Sequence, residues 1–398
     1  MNGGAVVQRV AAKGDGVTAD GRHVALAAPG DVVLPDGTIE PGPHRADPPC
    51  RHFPRCGGCQ LQHVDDTALA EFVRDRVVLA AAGQGIEPGR VAPTHLSPPR
   101  SRRRATLHAA NSGGRAAIGF REGGSHRVVD LTECHVLRAE LFALVGPLRR
   151  MLSRRRGRYA IDIELALTDQ GVDCGLKNLE IEGLEETEAL LDFSRENALA
   201  RLTLDMGYGA EAMWEPHPVT VEIGGVAVSF PTGAFLQATA DGEAALVAAA
   251  HDWLGDYATL ADLFAGLGTF AFSLAGKGQV TAFEAARDAH LACRTAANRS
   301  GRPVEAVHRD LFRNPLQAGE LDRFDGVLLD PPRAGAREQI AQIAASGVGR
   351  VVYISCNPAS WARDAKTLVE RGYRLEELRP VGQFRWSTHV ELASLFVR

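Results

Sequence analysis

From about residue 230 onward the chain alternates short apolar runs with helical segments. DGEAALVAAAHDWLG reads as a helix, ATLADLF as a buried strand and TFAFSLAGKG as a helix with a glycine stop. QVTAFEA is the next strand, ARDAHLACRTAANRSG the next helix, and FDGVLLD and VGRVVYISC continue the strand series. Strands joined by crossover helices lie parallel, and a parallel sheet is covered on both faces. The alternation therefore predicts an α/β, doubly wound sheet with its ligand beyond the carboxyl ends of the strands.

Upstream the pattern changes. Residues 1 to about 45 are rich in Gly, Val and Asp, and their short alternating runs are broken by Gly-Asp and Asp-Gly pairs, which predicts a small unit of β-hairpins. The Pro-rich EPGPHRADPPC reads as a linker. From Asp65 to Ala82 a helical spacing starts on acidic residues and ends at GQGIEPG. RRRATLHAA, AAIGFRE, HRVVDL, RYAIDIELALT and GVDCGLK read as strands of an α+β middle region. The expected division is 1–45, 46–230 and 231–398, in keeping with a 398-residue chain too long for one ordinary core.

A formal net charge of -5 argues against a wholly basic nucleic-acid binder, yet positive charge is clustered. PRSRRRA, Pro99 to Ala105, carries four arginines and RRMLSRRRGR, Arg149 to Arg158, carries six. Guanidinium suits bidentate phosphate contact and stacking on bases, so these clusters are expected to track phosphate, ordinary solvated surface being the alternative. No apolar run approaches membrane length, and MNGGAVVQRVAAKGDG lacks an apolar signal core. The expectation is a cytoplasmic protein without membrane contact.

Three motifs carry chemistry. DLFAGLGTF, Asp262 to Phe270, lies at a strand-turn-helix junction, where Gly266 and Gly268 let the backbone approach a ligand and the helix N-terminus adds amide donors. With Ala271 they also satisfy G-x-G-x-x-A, so a dinucleotide site is a rival. Glu284, ending the next strand, can accept from ribose hydroxyls in either case. LLDPPRAG places Asp330 at a strand end, before two prolines that stiffen the loop. VVYISCNPASWARD ends a β-branched run on Cys356, followed by Asn-Pro.

GAFLQAT, DLFAGLGTF, DPPRAG, SCNPASWARD and HVELA, in this order, resemble the motif set of the RNA 5-methyluridine methyltransferases, which use S-adenosylmethionine (SAM) on a class I, Rossmann-like fold. CRHFPRCGGCQLQH and IGFREGGSHRVVDLTECHVL resemble the iron-sulfur branch of that family, whose members modify bacterial 23S rRNA. The β unit at the N-terminus resembles a shortened TRAM RNA-binding domain, so the resemblance spans nearly the whole chain. It departs at Ala265 and Thr269, where the family commonly has Cys and Asn, and at Thr239, where Asn is usual.

The resemblance implies methylation of uracil C5 in RNA, 23S rRNA first and tRNA as the alternative. Uracil C5 is a weak nucleophile until a thiolate adds to C6. Cys356 would be that nucleophile, in a pocket expected to favour thiolate, with Arg333 and Arg363 as sources of positive charge. Glu391 would remove the C5 proton; an edge strand turning Glu391 to water is the alternative. His389 falls on the same side of the strand and could assist. Gln237, Phe264, Thr269, Glu284, Asp310 and Asp330, with Gly266 and Gly268, would hold SAM, Asp310 as a simple helix cap being the alternative.

Cys50, Cys56 and Cys59 form C-x5-C-x2-C, and Cys134 supplies a distant fourth thiol. Spacing alone allows zinc or an iron-sulfur cluster. The resemblance implies a [4Fe-4S] cluster that fixes the middle domain. Cys174 and Cys293 are expected to be structural, and the protein to be a monomer. A Rossmann-type redox enzyme and a zinc RNA-binding module are the rival classes.

Overall fold

The computed structural model describes residues 4–112, 114–155, 157–276 and 278–398. Arg156 of the second arginine cluster and Lys277 in TFAFSLAGKG lie outside the described residues, as do the first three residues of the 1–45 unit.

β1 (Ala5–Val10), β2 (Gly16–Thr18), β3 (His23–Val24), β4 (Val32–Val33) and β5 (Ile39–Glu40) form an antiparallel sheet in the order β3-β2-β1-β4-β5. Its apolar core is small, chiefly Val7, Ala27 and Val33. The fully buried Asp31 adds a polar one. Its carboxylate accepts from the Ala28 and Gly42 N–H groups, each at 2.7 Å, and from the Arg45 guanidinium. Such a pair holds when its remaining lone pairs are filled, as here. The segment read as a linker is thus fastened to the unit it follows.

α1 (Asp66–Ala82) starts at Asp65, whose side chain accepts the Ala68 N–H at 2.8 Å. After it come β6 (Arg90–Val91) and β7 (His95–Leu96), then β8 (Arg104–Ser112), β9 (Arg115–Gly119), α2 (Ala139–Ala143), α3 (Val145–Leu152), β10 (Ala160–Thr168), β11 (Gly171–Lys177), α4 (Gly183–Glu196), β12 (Arg201–Asp205) and β13 (Ala210–Trp214). The middle sheet runs β13-β12-β11-β10-β8-β9. Alternate residues of β10, Ile161, Ile163 and Leu165, share one core with Leu141 and Leu148 of the helices. HRVVDL is not a strand: it makes one isolated bridge, Arg121 to Val128. The Asp130 carboxylate takes the Ile118 N–H at 3.2 Å, a donor that a regular ladder would have given to a carbonyl.

β14 (Thr220–Ile223) and β15 (Val226–Ser229) form a hairpin across Gly224 and Gly225, both at positive φ, as a two-residue turn of this kind requires. The alternating region follows: α5 (Ala240–Leu254), β16 (Thr259–Leu263), α6 (Thr269–Leu274), β17 (Gln279–Glu284), α7 (Arg287–Ser300), β18 (Val304–His308), α8 (Ala318–Leu321), β19 (Gly326–Leu329), α9 (Arg337–Ala345), β20 (Arg350–Ser355), α10 (Pro358–Glu370), β21 (Arg374–Gly382) and β22 (Glu391–Val397). The sheet runs β18-β17-β16-β19-β20-β22-β21-β6, with β7 also on β21. Its central strands are apolar apart from Asp262 and a few polar residues at their ends, Leu260, Leu263, Val327, Leu329 and Val351 being fully buried, as a sheet covered on both faces requires.

Two features place the site. The chain runs outward from β16 to β18, then returns to β19 on the other side of β16, which leaves a crevice at their carboxyl ends. β22 runs antiparallel between β20 and β21, so its first residue lies at that same end of the sheet. Among the described residues no helix is long and apolar enough to cross a membrane.

Candidate active site

Phe264, Gly266 and Gly268 follow β16, Glu284 closes β17, Asp330 follows β19 and Cys356 follows β20. Register makes neighbours of them: Leu263 lies opposite Leu329, so Phe264 stands beside Asp330; Ser355 lies opposite Leu392, so Cys356 stands beside Glu391. The Asn357 side chain accepts the Ala359 N–H at 3.2 Å and caps α10, with Pro358 opening the helix, which fixes Cys356 at the strand-helix junction.

Glu391 is only 6% exposed, and β22 is an interior strand, so the edge-strand alternative does not hold. Burial and then the nearby Asp330 push the Glu391 carboxyl up to about 8, against a hydrogen bond from Gln383 and the charge of Arg104. Burial pushes Asp330 up to about 7, against a hydrogen bond from Gln237. Burial, then Glu391 and Asp330, push the Cys356 thiol up to about 11, while Arg333 pulls it down. The pocket thus disfavours the thiolate, contrary to the sequence expectation, because burial and then two nearby carboxyls oppose its charge. Arg363 does not offset them: its guanidinium is committed to Asp364 at 2.7 Å and the Ala334 carbonyl at 3.0 Å. Three coupled groups at one point can pass protons among themselves near neutral pH.

The glycine turn is held open for a ligand. Gly268, at φ 89°, leads into α6, which Thr269 begins, and a Cβ there would stand 2.8 Å from the Phe272 ring. Gly266, at φ 56°, faces open space. Glu284 straps the turn, accepting from the Gly266 N–H at 2.8 Å and the Ala286 N–H at 2.6 Å. Phe264 also has positive φ, and its ring meets that of Phe312 at 5.3 Å. Asp310 accepts from the Phe312 and Arg313 N–H groups at 3.0 and 3.2 Å, so it does serve as a turn cap. His389 packs on Phe384, with ring centroids 5.5 Å apart.

Asp262 and Gln383 were not singled out in the sequence, and Arg104 was read only as part of a cluster tracking phosphate. Asp262 is fully buried, and burial raises its carboxyl well above the usual range, with Asp330 and Glu284 adding to the effect. A carboxylate inside the apolar run LADLF was its visible signal. Arg104 lies close enough to Glu391 and Cys356 for each to favour its charge. Its guanidinium covers the ring of Phe235 at 4.5 Å, and that ring is 58% exposed. Gln383 gave no signal at all.

In the first arginine cluster Arg102, Arg103 and Arg104 are turned inward rather than laid out as a phosphate track, and Arg100 is exposed. Arg102 lies between Phe120 and Phe384, at 5.5 and 5.2 Å, and donates to the Arg104 carbonyl at 2.9 Å. Arg103 pairs with Glu243 at 2.6 Å and donates to the Gln237 carbonyl at 3.0 Å. In the second cluster Arg149 pairs with Asp130 and Arg155 with Glu186, whereas Arg150 and Arg154 are exposed.

Cys50, Cys56 and Cys59 are buried and Cys134 is half-buried. Burial is the main cause that raises all four thiols, Cys59 to about 12, and neighbouring thiols add to it at Cys50, Cys56 and Cys59. Among the described residues no three His, Cys, Asp or Glu side chains are gathered as a single metal ion needs. Cys134 nonetheless lies near enough to Cys50, Cys56 and Cys59 to raise the value of each. The loop that bears Cys50, Cys56 and Cys59 is latched to the approach to β22: the Gln60 and Leu61 N–H groups both donate to the Trp386 carbonyl, at 2.7 and 2.9 Å.

Comparison with known proteins fits this geometry. A family model described as tRNA (Uracil-5-)-methyltransferase matches residues 220–398. An uncharacterized RNA methyltransferase of Zymomonas mobilis is 48% identical across 98% of both chains. A 23S rRNA (uracil(1939)-C(5))-methyltransferase of Vibrio vulnificus is 32% identical over 90% of this chain and 84% of its own. The crystal structure of the Pyrococcus abyssi tRNA (uracil-54, C5)-methyltransferase, in complex with S-adenosyl-L-homocysteine, superposes with a TM-score of 0.77 over 99% of each chain at 23% identity.

Proposed function

The chain belongs to the RNA (uracil-C5)-methyltransferase family, and from that premise we propose that it methylates a uracil of 23S rRNA, with Cys356 as nucleophile and Glu391 as base. The observation that carries this reading is the meeting of Cys356, Glu391 and Asp330 at the crevice between the sheet halves. Neither rival class, redox enzyme or zinc module, accounts for a thiol between two proton-holding carboxyls.

SAM supplies a methyl group on a positively charged sulfonium. Gly266, Gly268, Thr269 and Phe264 form the cradle, with Glu284 and Asp310 toward its ribose and adenine. Gln237 and Asp330 face both its methionine end and the target base. The base must leave its stack to arrive here. Phe235 under Arg104 offers an exposed flat surface on which an unstacked base can rest.

Near neutral pH one of the two carboxyls holds a proton while the other can accept one. The Cys356 proton passes through this pair to solvent, so that Glu391 is again free to accept, and Sγ bonds to C6. The C5–C6 double-bond pair moves toward C5 and O4, where the Gln237 amide can donate. C5 takes the methyl as its bond to the sulfonium sulfur breaks, which leaves a neutral thioether. Glu391 then removes the C5 proton, the double bond returns, and the Sγ–C6 bond breaks to release the thiolate.

Cys50, Cys56, Cys59 and Cys134 would hold a [4Fe-4S] cluster. No step above needs an electron, so its role is to brace the loop that leads to Glu391. The choice of 23S rRNA rests on the Vibrio relative; tRNA is the second reading, favoured by the description of the matching family model. We place the enzyme in the cytoplasm, as a monomer.

RNA substituted with 5-fluorouracil tests the scheme, because fluorine at C5 cannot leave as a proton. It should arrest the wild-type protein, given SAM, as a methylated RNA adduct on the Cys356 peptide. Cys356→Ala should give none; an adduct on another residue would refute the assignment.

A further inference from the structure

Resting on the functional reading above, we propose that Gln383 is a positioning residue: it fixes which end of the Gln237 amide meets Asp330, and so makes the site choose uracil over cytosine.

The direction of the chain is set by a group that can only donate. The Thr239 backbone N–H donates to Gln383 Oε1 at 3.3 Å. The Gln383 amide nitrogen is then left to donate to Gln237 Oε1, at 2.9 Å, and it also serves the Glu391 carboxyl. With its oxygen taken, Gln237 turns its nitrogen to Asp330 and donates to Oδ2 at 3.2 Å. Reversing either amide would set donor against donor or lone pair against lone pair at every joint.

The surroundings leave these amides no other pose. Gln383 is 2% exposed, Gln237 3% and Thr239 fully buried. The Thr239 hydroxyl accepts from the Gly242 N–H at 3.0 Å and meets the Ser97 hydroxyl at 2.9 Å. Gly242 is needed for the fit, since a Cβ there would stand 2.7 Å from the Gln383 Cβ.

The consequence is a fixed pattern of one donor beside one acceptor. Uracil presents a carbonyl at C4 and an N–H at N3, which match the second Gln237 amide hydrogen and an Asp330 oxygen. Cytosine presents an amino group and a bare ring nitrogen, which oppose both. Sites built to hydrogen-bond a specific polar edge discriminate strongly, because a mismatch leaves buried groups unpaired. The same Gln237 hydrogen faces O4, where charge builds when the thiolate adds to C6.

The test uses Gln383→Met, similar in size with no hydrogen-bonding amide, and Gln383→Glu, whose carboxylate draws the Gln237 nitrogen toward itself. Each is assayed with labelled SAM on 23S rRNA transcripts carrying U or C at the position that the wild type methylates. Both variants should lose about tenfold or more in kcat/KM on uracil, and the uracil-to-cytosine ratio should fall by about tenfold, with SAM affinity unchanged. In Gln383→Met the acid limb of the pH-rate profile should also move to higher pH. The donor that holds the Glu391 carboxyl down is gone, while Asp330, Arg104 and Cys356, which also face it, remain. Should Gln383→Met prove unstable, Gly242→Ala displaces the same side chain, together with the Thr239 hydroxyl beside it, with every hydrogen-bonding group kept. Folded variants with the wild-type ratio and acid limb would overturn the proposal. Wild-type protein that transfers no methyl to uracil would instead overturn the functional reading beneath it.

Discussion

Replacing Glu391 with glutamine should make the protein more stable at alkaline pH while it abolishes turnover. The carboxyl rises from an ordinary 4.5 to about 8 on folding. Below pH 4.5 it is protonated in both states and costs nothing. As the pH rises the unfolded chain ionises first, so stability is lost progressively until about pH 8 and is level beyond. At about 1.4 kcal/mol per pH unit the gap sets a ceiling of about 5 kcal/mol. Asp330, raised to about 7, is coupled to it and shares the effect. A net figure of about 2–3 kcal/mol is therefore expected for Glu391 alone. Glutamine keeps the shape and a partner for Gln383 but cannot ionise. With an unfolding entropy of about 2 cal/mol/K per residue, the melting temperature should rise by about 2–4 °C at pH 8.5 and hardly at all at pH 5. Thermal unfolding at the two pH values reads this directly. No gain at pH 8.5, or an equal gain at both, would refute the claim that an ionising carboxyl is buried here.

Three other perturbations follow from the geometry. Gly268→Ala places a Cβ at φ 89° against Phe272, so it should cost about 1–3 kcal/mol in thermal unfolding and abolish SAM binding by calorimetry. Arg103→Met leaves Glu243 half-buried without its partner and frees the Gln237 carbonyl; turnover should fall while the salt dependence of RNA binding stays as it was, the reverse of what a phosphate contact gives. Cys59→Ser should lower iron content and speed hydrogen exchange at residues 384–389, because the cysteine loop holds the Trp386 carbonyl; unchanged exchange would separate the cysteines from the site.

The parallel sheet was legible because strands covered on both faces are mostly apolar, and LADLF, GVLLD and VVYIS are so apart from Asp262 and the polar residues at their ends. Asp330 and Cys356 were legible for the same reason, as polar residues at the ends of such runs. The direction of β22 was not: an apolar run carries no sign of its antiparallel course, yet that course brings Glu391 to Cys356. β6 and β7, two residues each, are too short to show a period, although they extend the catalytic sheet. The Arg102–Arg104 run looked like a surface track because a charge run reads alike whether it meets solvent or folds inward on Phe120, Phe235, Phe384 and Glu243. Gln383 is a single amide just past a strand, and only its partners give it meaning.

The measurement that bears most directly on the reading is the identity of the product. The anaerobically purified protein should be incubated with methyl-labelled SAM and unmodified 23S rRNA, 16S rRNA or tRNA, and each RNA digested and resolved by mass spectrometry. Labelled 5-methyluridine from 23S rRNA, absent with Cys356→Ala, is the result expected. No labelled 5-methyluridine from any of the three, with protein shown to bind SAM, would contradict it.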